Sequence, residues 1–160
     1  MPTFEHHVDI HADQGALFAL TQDYDRRLKW DPFLKEARLV GGADRAAVGV
    51  RAWCVARSGL GMETEYVSLE APRVAAVKMT RGPALFESFA GSWRFEPAGP
   101  GVTRVRFCYH VEARPRWLRP LLNPLFTAVF ARDTRQRLAA LKKAAETTDI
   151  LQLPTPPQPL

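Results

Sequence analysis

Tyr66, Tyr109 and His6 are the side chains of this chain whose types and positions could do acid–base chemistry. Each falls in a segment that alternates apolar and polar residues. Met62, Thr64 and Tyr66 share one face, as do Val105, Phe107, Tyr109 and Val111, and Phe4, His6, Val8 and Ile10. A phenol or imidazole on an interior face can donate a hydrogen bond to an oxygen that gains negative charge, and an imidazole can also take a proton. A phenol with a pKa near 10 is a poor base at neutral pH but an adequate donor. Alternation assigns no inward Asp, Glu or Arg, so these three are the candidate catalytic residues.

Other chemistries fail on spacing. His7, Asp9 and His11 share the outward face of the first strand, but residues i and i+4 of a strand stand ~13 Å apart, so one metal ion cannot hold both histidines. No metal site is expected. Ser58, Ser68, Ser88 and Ser92 lack the strand–turn–helix setting of a nucleophile elbow. Cys54 and Cys108 lie in apparent strands without metal-type spacing and are expected as reduced structural thiols.

A sheet must position these residues. After the strand Phe4 to Ile10, Asp13 caps a helix whose apolar side is Ala16, Leu17, Phe18 and Leu20. A short helical piece from Asp23 to Leu28 leads into Trp30-Asp31-Pro32-Phe33, where the proline forces a turn. Strand segments then follow at Ala37–Val40, Val48–Arg57, Met62–Glu70, Arg73–Thr80, Phe86–Glu96 and Thr103–Glu112. Their connections carry Gly41-Gly42, Gly59, Ala71-Pro72, Gly82-Pro83 and a Pro/Gly run ending at Gly101, and no helices, which predicts an antiparallel meander. A long helix from about Arg116 to Glu146 closes the order, with Pro120 and Pro124 making either a separate first piece or a kink. Four prolines in the last seven residues make 147–160 a disordered Pro-rich tail in this reading.

The α+β order leaves one sheet face to be covered by the C-terminal helix. On that face stand Thr64, Tyr66, Met79, Phe89, Trp93, Phe107 and Tyr109, opposite Phe126 and Phe130 of the helix. Trp30 and Phe33 either guard the mouth of the intervening space or plug its end. Apolar walls with a few hydroxyls suit a greasy, partly oxygenated ligand, and the same residues would equally make a packed core.

At 160 residues, 46% hydrophobic and 24% charged, the chain fits one globular domain. The apolar run Leu121–Ala131 is interrupted by Asn123 and Pro124 and is too short to span a membrane. The N-terminus has no basic-then-apolar leader, so the cytoplasm is the expected compartment. The net charge of +5 is uneven: Arg114 to Glu146 holds eight basic side chains against two acids. Those cations could serve the helix dipole, or, with Trp117 beside Arg114, Arg116 and Arg119, an anionic membrane surface. RNA is not expected, because no exposed aromatics interleave with the cations.

The element order, with Trp30-Asp31-Pro32-Phe33, the strand Gly91-Ser92-Trp93-Arg94-Phe95-Glu96 and Thr103-Arg104-Val105 after a Gly-rich turn, resembles the START-like helix-grip (SRPBCC) superfamily, nearest its polyketide cyclase/dehydrase and lipid-transport branch. The resemblance covers about Thr3 to Glu146. It implies a helix-grip fold: a curved seven-stranded antiparallel sheet around a long C-terminal helix, with two short helices after the first strand, as one ligand-binding domain over residues 1–146. It implies binding or transport of a lipid-, isoprenoid- or polyketide-like molecule, without a cofactor. An alternative is aldol cyclisation or dehydration of a poly-β-ketone in the same cavity. Another is a protein- or ribosome-interacting module using the basic helix.

Overall fold

Asp13 and Asp23 fix the entry to the molecule. In the computed structural model, which describes residues 3–152, Asp13 accepts from the Ala16 amide at 2.9 Å and caps α1 (Gln14–Gln22). Asp23 ends that helix and caps α2 (Tyr24–Trp30), accepting from the Asp25 amide at 3.0 Å. Both helices follow β1 (Thr3–Ile10). Six more strands come in sequence: β2 (Leu34–Leu39), β3 (Arg51–Ala56), β4 (Gly61–Glu70), β5 (Val74–Arg81), β6 (Phe86–Gly99) and β7 (Val102–Ala113). A single 3-10 turn, Arg116–Leu118, then precedes α3 (Arg119–Thr147).

All seven strands form one antiparallel sheet in the order β1-β7-β6-β5-β4-β3-β2. Only β1 is out of sequence, and it pairs with β7. This is the expected helix-grip architecture, a curled sheet around one long helix.

The 29-residue α3 crosses β1 and β7 and buries Ala131, Thr134, Leu138 and Leu141, a stripe at three- and four-residue spacing. Burying each leucine contributes about 1.5–3 kcal/mol. Both expected prolines sit in the first turns, Pro124 inside the helix, and the separate 3-10 turn comes ahead of them. Arg119 clamps this start to the sheet: Nε donates to Ala113 O at 3.0 Å, and the guanidinium pairs with Glu87 and Glu112.

The chain departs from the expected tail at residues 147–152. Ile150–Gln152 forms a 3-10 turn, Ile150 is buried, and its carbonyl accepts from Arg26 Nη1 at 3.0 Å. Ile150 finds apolar surface beside α1, which outweighs the local polar composition. The proline-rich remainder of the expected tail lies outside the described residues.

Candidate functional site

A cavity of about 190 Å³ lies between the concave face of β3 to β7 and α3, with α2 at its closed end. It is larger than the ~150 Å³ apolar cavities that hold a benzene molecule. Small side chains create it. Ala56, Ala75 and Gly91 stand on the wall where large residues would fill the space. The lip is formed by Ser58 and Leu60 of the β3–β4 hairpin, Pro83 before β6, and Val129 of α3; Leu60 and Val129 are exposed.

Seven of the expected ligand-binding residues line this cavity: Phe33, Thr64, Tyr66, Phe89, Trp93, Phe107 and Phe130. Four do not. Trp30 packs edge-on behind Trp93 (ring centroids 6.2 Å apart) and Phe126 edge-on against Phe86 (4.9 Å). Met79 is on the inward face but lies against Gly82, beyond the wall. Tyr109 is fully buried behind Phe89 and Phe130, and its hydroxyl donates to Thr127 O at 3.1 Å. Burial pushes its phenol pKa up.

The three catalytic candidates are therefore not brought together. His6 faces inward, but onto a separate open groove between β1 and α3, with Arg135 and Glu146. Burial and the Arg135 charge lower its pKa. Tyr66 alone faces the cavity, and its proton is committed: it donates to Gln22 Oε1 at 2.7 Å. The Tyr24 hydroxyl, 3.1 Å away, must then donate to Tyr66. Burial raises both phenols, so the pair stays neutral and offers lone pairs to the cavity.

Alternation missed the charged groups because helices carry them. Arg27 from α2 and Arg137 from α3 both line the cavity, with side chains 8% and 13% exposed, and both bond to Asp31 at the end of α2. Asp31 Oδ2 accepts from Arg27 Nε at 2.8 Å and from Arg137 Nε at 3.2 Å, with Arg137 Nη2 in ion-pair contact at 3.1 Å; Oδ1 accepts from the Phe33 amide at 3.0 Å. Burial pushes the Asp31 carboxyl up, the guanidiniums of Arg137 and Arg27 pull it down further, and it stays ionised below the ordinary carboxylate range. Burial lowers the Arg137 pKa without discharging it. Aromatic rings shelter both cations: Arg27 lies 5.2 Å from the Trp30 centroid, and Arg137 lies 5.1 and 5.3 Å from Phe33 and Phe107. Arg137 is thus not the dipole-serving surface cation of the sequence reading.

Asp133 also lines the cavity, one turn before Arg137, and partial burial raises its carboxyl above the ordinary range. Phe86 reaches the wall with Phe89 because the β6–β7 register shifts between Phe86 and Ser88, which breaks simple alternation. The one early signal was the string Arg26-Arg27 with Asp31 at i+4 of Arg27, a spacing at which a helical pair can meet.

The family model described as polyketide cyclase/dehydrase and lipid transport matches residues 1–146. Comparison with curated protein sequences found no match. Among solved structures, XoxI from Bacillus cereus superposes with a TM-score of 0.76 at 11% identity, covering 92% of this chain and 97% of that one. A START superfamily protein from Mycobacterium smegmatis gives 0.75 at 15% identity, covering 90% and 97%. The Zhui aromatase/cyclase from Streptomyces sp. R1128 gives 0.74 at 16% identity, covering 91% and 93%. At these identities the likeness is one of fold.

Proposed function

The chain belongs to the polyketide cyclase/dehydrase and lipid-transport family, and on that premise we propose that it binds and carries one hydrophobic small molecule in the α3 cavity. The observation that carries this reading is the unfilled, mostly apolar space behind an open lip, walled by Phe33, Phe86, Phe89, Trp93, Phe107 and Phe130. Apolar walls supply affinity and a few polar groups fix orientation. The volume suits one or two rings, or a chain of similar bulk. A carrier must meet the source of its ligand. Exposed Trp117, Leu121 and Leu125, beside exposed Arg114 and Arg116, support an anionic membrane surface as that source.

Native mass spectrometry of the freshly purified protein, followed by organic extraction, tests the reading. The expected result is a bound apolar species released by solvent. An apo mass, together with failure to bind fatty acids, quinones and aromatic polyketides, would overturn it.

Asp133 favours a second reading, a cyclase acting in the same cavity. Its carboxylate would take an α-proton from a polyketone, and a guanidinium of Arg27 or Arg137 would stabilise the enolate oxygen. The enolate carbon then bonds to a second carbonyl carbon, whose oxygen regains a proton. Loss of turnover in Asp133→Asn with binding retained would establish this reading; unchanged turnover would remove it.

A further inference from the structure

The inner end of the cavity carries more positive than negative charge. Two guanidiniums share the single carboxylate of Asp31, a group with net charge +1 whose carboxylate is fully buried. Both Asp31 oxygens already accept. Arg27 Nη1 donates to Thr21 O at 2.8 Å. The remaining terminal nitrogens, Arg27 Nη2 and Arg137 Nη1, have no hydrogen-bond partner among the described residues, and both side chains belong to the cavity wall. Asp133, one turn nearer the exposed Val129, feels the Arg137 charge but forms no ion-pair contact with either guanidinium.

The two buried guanidiniums have one paired carboxylate between them, so a site like this gains from an occupant that supplies a second anion. An ion triad that only ties α2 to α3 accounts for the Asp31 contacts, since one carboxylate can accept from two guanidiniums. It does not account for the net positive charge that the triad turns toward the cavity. The hydroxyl pair beside it cannot substitute as donor, because the Tyr24 and Tyr66 protons are both committed.

We infer that the ligand of this cavity is an amphipathic monoanion, an apolar body bearing one carboxylate that binds the free N–H groups of Arg27 and Arg137. The inference rests on the carrier reading above and narrows its ligand class. One negative charge neutralises the triad; a dianion such as a phosphate monoester would overshoot it and meet the Asp133 carboxyl on the same wall. Guanidinium matches carboxylate geometry, and the flanking Phe33, Trp93 and Phe107 rings accept the apolar body next to the head.

The test compares 2-naphthoate with its neutral isostere 2-naphthamide by calorimetric titration of the full chain, with Nile red as a neutral reporter of cavity occupancy. The expected result is at least about tenfold tighter binding of the acid. In Arg137→Met and Arg27→Met that ratio should fall toward one while the amide binds as before. Equal affinity for acid and amide in the wild type overturns the anion inference and leaves the carrier reading standing. A ratio that survives both substitutions also overturns it, because the anion is then held elsewhere. If acid, amide and Nile red all fail to bind, the carrier reading falls and this inference with it. Should the variants not fold, a crystal structure with 2-naphthoate decides. A carboxylate within hydrogen-bond reach of Arg27 or Arg137 supports the assignment, and one turned toward the lip overturns it.

Discussion

The two halves of the concave face are built from the same alternating strands and end differently. Where α3 crosses β1 and β7, Ile10, Val105, Val111, Leu138 and Leu141 are each at most 1% exposed, and side chains fill the space beneath the open groove at His6. Where β3 to β6 curl away from α3, Ala56, Ala75 and Gly91 take wall positions and a void remains. Polar groups divide the same way. In the packed half Tyr109 ends on a helix carbonyl. In the hollow half a net positive triad faces open space. Hydrophobicity is common to both halves; side-chain size and the path of the helix distinguish binding site from core.

Removing Asp31 should break the contrast most. Asp31→Asn leaves two buried guanidiniums without their counter-charge and is expected to cost about 3–5 kcal/mol in urea unfolding. The folded-state pKa of Asp31 is depressed, so its contribution is full above the unfolded value of about 3.9 and is lost as pH falls below it. The stability gap between wild type and Asp31→Asn should therefore shrink as pH drops from about 6 to about 3. A constant gap would show that the carboxylate acts through shape rather than charge.

Exchanging volume between the halves sharpens the comparison. Leu138→Ala should cost about 2–5 kcal/mol, because the packed half cannot collapse around the loss. Ala75→Leu fills the hollow half: stability should hold or rise by up to about 1 kcal/mol, while Nile red binding weakens at least about tenfold. Strong destabilisation by Ala75→Leu would mean that the void is already occupied by packing.

The tyrosines give a smaller split. Tyr109→Phe removes one buried hydrogen bond and should cost about 1 kcal/mol without altering ligand affinity. Tyr66→Phe frees Gln22 and Tyr24 within the cavity and should shift acid and amide affinities together. Least of all, Trp117→Ala, at an exposed site, should change stability by under about 0.5 kcal/mol. It should nonetheless reduce co-sedimentation with phosphatidylserine vesicles, and unchanged co-sedimentation would remove the membrane contact.

The succession of strands along the chain, the two short helices, the long final helix and the inward face of β7 were legible, because period-two and helical spacing report directly on which side of an element is buried; the pairing of β1 with β7 was not. Thr64, Tyr66, Phe89, Trp93, Phe107 and Phe130 were legible as inward-facing residues for the same reason, and Phe33 only as a mouth guard or plug after the Trp30-Asp31-Pro32 turn. Trp30, Met79, Phe126, Tyr109 and His6 show where that logic stops. Alternation says that a side chain points inward, and says nothing of whether another ring already stands in front of it.

Local sequence therefore determined the elements and their apolar faces, since caps, turns and periodicity act over a few residues. The position of the void, the separation of His6 and Tyr109 from it, and the meeting of Arg27, Asp31 and Arg137 were decided only by the tertiary structure. Arg137 stands 106 residues from Asp31 along the chain. No local pattern marks a buried charge whose partner comes from so distant an element, and only the curl of the sheet against α3 brings the two within 3.1 Å.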